Sequence, residues 1–206
     1  MLRVDLHLHT AFSGDSSISP RLLVNQLHSH PSIKAVAITD HNTLKGYFRV
    51  QKLANIYEDL TILPGVEVST EEGDLIILGV EETPKIPTTS SSAVDFAKAC
   101  GAVIIIPHPY RSMGIGDLAM KLEADAVEVL NPTATKRENA MAYDLARIRN
   151  LPGVAGTDAH NPTEMWTVCT EIKAQPSIED ILKAIRKGFV KPVAPKRATL
   201  AEMSGG

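Results

Sequence analysis

The chain has 206 residues, 44% of them hydrophobic and 22% charged, with a formal net charge of −3. That length suits one compact domain with a single continuous core, and the mild acidity gives no basic footprint for broad nucleic-acid binding. No run of about 18 apolar residues is present, which argues against a membrane span.

Met1-Leu2-Arg3-Val4-Asp5 puts an acid, followed by histidines, where a secretion signal needs an apolar stretch, so a cytoplasmic location is expected. Cys100 and Cys169 lie far apart with no other thiol to pair with, which removes a disulfide framework and a cysteine zinc site. Both read as small buried hydrophobes.

Strands are expected at 3–9, 34–39, 61–68, 75–80, 102–106, 126–130 and 154–157. Val103-Ile104-Ile105-Ile106 is apolar without alternation, as in a strand covered on both faces. Helices are expected between them at 20–29, 44–56, 92–100, 115–122, 135–148 and 178–187. Ser19 before Pro20 and Ser177 before Ile178 suit helix starts, while Gly101 and Gly188 suit helix stops. The Pro- and Ser-rich stretch 83–92 reads as a loop, and 190–206 as a C-terminal extension or last docked segment. The alternation predicts a single α/β domain with parallel strands, closed or nearly closed into a barrel. An open doubly wound sheet is the alternative.

Of the seven histidines, five fall at expected strand ends: His7, His9, His41, His108 and His160. Glu67, Asp40 and Asp158 occupy equivalent places. In an α/β barrel the strand C-termini open on one face, so groups scattered along the chain converge there. Strand alternation puts Asp5, His7 and His9 on one face and Val4, Leu6 and Leu8 on the other, and a His-x-His pair can chelate one metal ion. His28 and His30 end a helical pattern and are assigned no function. The chain has no Gly-x-x-x-x-Gly-Lys phosphate loop, no Gly-x-Ser-x-Gly elbow and no complete dinucleotide fingerprint.

Taken in order, Asp5-Leu6-His7-Leu8-His9-Thr10, Ile38-Thr39-Asp40-His41-Asn42, Pro64-Gly65-Val66-Glu67-Val68-Ser69-Thr70, Pro107-His108-Pro109 and Gly156-Thr157-Asp158-Ala159-His160 resemble the PHP (polymerase and histidinol phosphatase) superfamily, in particular its small stand-alone phosphoesterases. The motifs span residues 4 to about 160. The resemblance implies a distorted (β/α)7 barrel of the TIM-like, PHP type over 1–206, holding two or three divalent ions: manganese, zinc or iron, with magnesium also admissible. It implies His7, His9, Glu67 and Asp158 for a first ion, with Glu67 bridging to a second that His108 also binds. Asp15, His41 and His160 would hold a third. The chain departs from the family where relatives often carry a further histidine, and Asp74 is the nearest replacement, a substitution that softens any zinc preference.

Asp40 is expected to orient a histidine or relay a proton, acting with His41 and Arg111 in catalysis. Arg111, with Asn131, Arg137 and more weakly Lys136, is expected to grip substrate. Hydrolysis of phosphate esters by metal-activated hydroxide is the leading expectation, on nucleotides or short oligonucleotides as a nucleotidase or 5′–3′ exonuclease. Two alternatives stand: a phosphatase for histidinol phosphate or another small phosphomonoester, and a catalytically silent barrel serving as a binding subunit. The partner is thus a phosphorylated small molecule or short nucleic acid, with no membrane involved.

Overall fold

The computed structural model describes residues 1–86 and 88–194. Nine strands form one sheet: β1 (Leu2–Leu8), β2 (Ile33–Ile38), β3 (Thr61–Thr70), β4 (Gly73–Leu78), β5 (Val103–Ile106), β6 (Ala126–Leu130), β7 (Gly153–Ala155), β8 (Cys169–Ile172) and β9 (Val190–Val193). The sheet order is β7-β6-β5-β4-β3-β2-β1-β8-β9. The strip after β7 folds back along the end of β1, where Asp158 N–H donates to His7 O at 2.7 Å and His9 N–H to Ala159 O at 3.2 Å. The sheet therefore curls into a nearly closed barrel, with all its elements in one domain.

The helices are α1 (Pro20–Ser29), α2 (Lys45–Ala54), α3 (Ser90–Ala99), α4 (Lys136–Arg149) and α5 (Ile178–Arg186). The side chains of Ser19 and Ser177 cap α1 and α5 as expected. Thr135 and Glu138 form a reciprocal capping box on α4. α3 begins inside the expected loop, because Thr89 supplies the cap by accepting from Ser92 N–H. The expected helix over 115–122 is only a 3-10 turn, Gly116–Met120; Gly116 sits at φ +60°, outside the α-helical region.

One apolar cluster lies between sheet and helices and includes Leu8, Leu23, Val50, Ala93, Ile104 and Leu145. A second includes Val4, Leu6, Leu63, Ile105 and Val154 together with Ile181 and Ile185 of α5. α5 thus caps the end where the parallel strands begin, close to the site where Thr61 Oγ1 donates to Pro176 O. The opposite end is left as the mouth.

Several strand expectations need correction. β4 is antiparallel to both β3 and β5, because the short Glu71-Glu72 connection leaves no room for a crossover helix. That hairpin brings Asp74 opposite Ser69, at the mouth. β8 and β9 add an antiparallel pair, so among the described residues the barrel has nine strands and 190–193 of the expected extension is docked strand; 195–206 lies outside the described residues. The register of β1 on β2 shifts between Asp5 and Leu8. Strict alternation therefore fails, and Leu8 packs in a different cluster from Val4 and Leu6. Cys169 is buried as expected, whereas Cys100, at the end of α3, is exposed. Among the described residues, no helix is long and apolar enough to cross a membrane.

Candidate metal centre

Five distant segments meet at the mouth. His7 Nε2 lies 3.0 Å from His9 Nε2 and 3.1 Å from Glu67 Oε2. Asp158 Oδ1 is 3.3 Å from both imidazole nitrogens. All four residues are buried. The other oxygen of Glu67, Oε1, faces His108 Nε2 at 3.1 Å, and Asp74 completes a second group with these two. A third group joins His9 to Asp15, His41 and His160, with Asp15 Oδ2 3.4 Å from His41 Nε2 and 3.3 Å from His160 Nε2. Within each group the potential ligand atoms lie within 4.8 Å of one another.

The far side of the rings fixes what the near side offers. His7 Nδ1 lies 3.1 Å from Glu128 Oε1, and His160 Nδ1 lies 2.9 Å from the Asp158 carbonyl oxygen. A carboxylate and a carbonyl can only accept, so Nδ1 carries the hydrogen in both rings. In the neutral ring, Nε2 then presents a lone pair to the cluster. His9 Nδ1 meets Ser13 Oγ at 2.9 Å, and that oxygen also accepts His41 N–H at 3.0 Å. The His9 ring is thereby held in place, the hydroxyl being able to donate to or accept from Nδ1.

These residues fit divalent cations. Lone pairs and carboxylates converge, and burying an ionised carboxylate costs several kcal/mol unless positive charge answers it. Three buried atoms in the cluster, His41 Nδ1, Asp74 Oδ1 and His108 Nδ1, have no hydrogen-bond partner. In the ion-free protein, protons supply part of the answering charge. Burial works against ionisation of Glu67, but His7, His108 and His9 outweigh it and hold the carboxyl well below its usual range. Burial likewise opposes the charge on His9, yet Asp158 and Glu67 push its pKa up to about 9. Asp74 is pushed up to about 6, by burial and then by the charge of Glu67.

A family model for the PHP domain matches residues 5–102, and a PHP-associated model matches residues 136–190. The uncharacterised protein MJ1587 of Methanocaldococcus jannaschii is 32% identical over 142 residues, covering 63% of this chain and 82% of that protein. This chain belongs to the PHP family.

Solved structures carry the same fold. A two-domain protein from Bacteroides vulgatus, containing a predicted PHP-like metal-dependent phosphoesterase, superposes with a TM-score of 0.79 at 17% identity. The match covers 94% of this PHP chain and 64% of that protein, so the chain spans a little under two thirds of it. An amidohydrolase from Chromobacterium violaceum, with bound sulfate and no metal, superposes with a TM-score of 0.64 at 17% identity, covering 93% of this chain and 92% of its own. The chain thus carries a PHP domain whose buried His/Asp/Glu groups are able to bind metal ions.

Other expected site residues are placed differently in this PHP barrel. Asp40 is buried and directs both carboxylate oxygens to Thr10, not to His41. It therefore anchors the chain beside His9, and the expected proton relay has no contact to run through. Asn131 is fully buried, and its amide donates to Glu128 and Asp158 while its oxygen accepts from Thr133. With every polar atom engaged, it orients carboxylates and cannot grip a substrate. Arg111 stands at the rim, paired through Nη1 with Asp158 and Thr133. Lys136 and Arg137 are exposed in the first turn of α4. His28 stacks on Tyr57, and His30 Nδ1 accepts from Ile33 N–H, both away from the mouth.

Sequence reasoning missed Glu128 as a partner of the site, although a lone acid inside Ala126-Val127-Glu128-Val129-Leu130 was a visible signal. Asp5 was placed with the histidines. In the structure it binds Thr157 N–H at 2.9 Å and Thr157 Oγ1 at 2.6 Å, and touches no imidazole through its carboxylate. His108 and Asp158 take positive φ of 23° and 51°. Such conformations cost about 1–3 kcal/mol and recur where a side chain must be aimed.

Proposed function

We propose that this PHP chain is a metal-dependent phosphoesterase acting on phosphate esters of nucleotides or short oligonucleotides. The observation that carries the reading is the split carboxylate of Glu67. One oxygen faces His7 and His9 and the other faces His108, the arrangement a residue shared by two cations requires.

His7, His9, Glu67 and Asp158 would hold the first ion, Glu67, Asp74 and His108 the second, and Asp15, His41 and His160, within reach of His9, the third. When bound, divalent ions there supply Lewis-acid stabilisation of a phosphoryl oxygen and lower the pKa of water. The chain's own contribution is orientation. Glu128 and the Asp158 carbonyl hold the imidazoles of His7 and His160 in one tautomer, and Ser13 fixes the orientation of the His9 ring. Asp158 and Thr133 occupy one guanidinium nitrogen of Arg111, leaving the rest of that planar group to meet a phosphate at the rim. The third group is the open side, where the side chains of His41 and His160 are 27% and 28% exposed. An ester with a large leaving group can approach from there.

The test is hydrolysis by purified protein with added manganese, offered a 5′-phosphorylated oligonucleotide, a mononucleotide and a small phosphomonoester. Turnover of the nucleotide substrates, lost in His9→Ala and Asp158→Ala variants that remain folded, is expected. Activity confined to the small monoester would overturn the nucleotide assignment. Near-wild-type rates in either variant would overturn the first metal group.

A further inference from the structure

We infer that Glu128 is a positioning residue that ties the first and second metal groups together from beneath; this rests on the metal-centre reading above. Glu128 is 2% exposed and lies outside the three groups described above, although with His7 and His108 it makes a fourth set of close potential ligands. Its Oε1 takes the Nδ1 side of His7 at 3.1 Å. Its Oε2 accepts the backbone N–H of His108 at 2.9 Å and the Asn131 amide at 2.9 Å. One carboxylate thus fixes the tautomer of a ligand in the first group and holds the backbone of a ligand in the second. That backbone needs holding, since His108 sits at φ +23°.

Residue 156 clears the space for this contact. A Cβ at Gly156 would fall 2.3 Å from His7 Cβ and 2.7 Å from Glu128 Oε1. With both oxygens already facing N–H donors, Glu128 is poorly disposed to ligate an ion itself, although His7, His108 and Glu128 lie close enough together to hold one. Its effect runs through the imidazoles.

A glutamine in this position has one acceptor oxygen and one donor nitrogen. Turned one way, its amide nitrogen faces His7 Nδ1 and drives the ring proton to Nε2, removing the lone pair from the first group. Turned the other way, it faces the His108 N–H and leaves that donor unmet in a buried strained turn. Either orientation damages a metal group without changing side-chain volume. Glu128 touches no side chain of Asp15, His41 or His160, so the third group should be spared.

The experiment is a competition titration of chelator-stripped wild type and Glu128→Gln with Mn²⁺ and Zn²⁺ against a chromophoric chelator. The third ion is identified as the one missing in His160→Ala. The expected result is an affinity loss of about 10- to 100-fold at the first and second groups, the range that supporting partners of metal ligands command, with the third unchanged. Asn131→Ala, which keeps the carboxylate but frees one side of Oε2 and also removes a donor to Asp158, should give a smaller loss at the second group, and read at that group it serves should Glu128→Gln fail to fold. If wild type binds ions and both variants match it, the role of Glu128 is overturned alone. An equal loss at all three groups also overturns it, because that is the pattern of general destabilisation. If wild type binds no ion, the metal-centre reading falls and this inference with it.

Discussion

Thr10 and Asp40 meet through two short hydrogen bonds: the Thr10 N–H donates to Oδ1 at 2.6 Å and its hydroxyl to Oδ2 at 2.7 Å. Thr10 follows His9 directly, so the end of β2 anchors the turn that carries an imidazole of the first group. The contact depends on Gly46, where a Cβ would lie 1.8 Å from Asp40 Oδ2 and 2.4 Å from Thr10 Oγ1. Gly46→Ala should therefore lower stability by about 1–3 kcal/mol through overpacking and reduce activity by displacing His9. Urea unfolding and a phosphoesterase assay measure both. An unchanged midpoint would show that Asp40 can move aside freely.

Between pH 6.5 and 9 the ion-free protein should grow less stable as pH rises. A histidine whose folded pKa is raised adds stability that is complete below its unfolded value of 6.5 and is lost as pH climbs through the folded value, about 9 for His9. His7 shifts in the same direction, because Asp158, Glu67 and Glu128 outweigh its burial. Asp5 adds to the trend: burial pushes its carboxyl up to about 7, so its contribution is lost between 3.8 and about 7. The thermal midpoint of chelator-stripped protein is expected to fall between pH 6.5 and 9. Metal loading should release protons in that window, seen as a buffer-dependent heat of binding. A midpoint that rises with pH would contradict the proton-for-cation exchange.

Ions should leave the three groups at different rates. The first group is fully enclosed, with its four residues between 0% and 3% exposed, whereas the side chain of Asp15 in the third is 52% exposed. Dialysis against a weak chelator is expected to strip the third ion first and leave the first group loaded. Metal content followed over time checks this, and simultaneous loss from all groups would count against it.

Arg111→Lys should behave as a loss rather than a conservative change. The guanidinium reaches Asp158 and Thr133 through one nitrogen and keeps further donors for a phosphate, whereas an ammonium offers a single point. Losing one charge-assisted hydrogen bond, about 1.5–3 kcal/mol, corresponds to a drop in kcat/KM of about 10- to 150-fold. Steady-state kinetics on a nucleotide ester would show it, and a change under threefold would remove Arg111 from phosphate recognition.

Much of the centre was legible before any coordinates. Histidines and acids at the ends of successive apolar runs name His7, His9, His41, Glu67, His108, Asp158 and His160 together, because parallel strands deliver their C-terminal ends to one face. Helix starts were equally readable at Ser19 and Ser177, since capping is a local hydrogen bond.

Other features depend on partners far along the chain. Glu128 meets His7 across 121 residues and Asp5 meets Thr157 across 152, and no local pattern specifies such pairs. Asn131 and Arg111 follow strands in much the same way, yet burial commits the first to Glu128 and Asp158 and leaves the second at the rim.

The sequence by itself determined which side chains could reach the mouth, because strand direction and period are properties of the local chain. Only the tertiary structure decided how they divide into three groups and which acids support rather than line them. The register shift of β1 on β2, the reversal of β4 and the space at Gly156 settle those questions, and each is fixed by packing between segments that no short stretch of residues encodes.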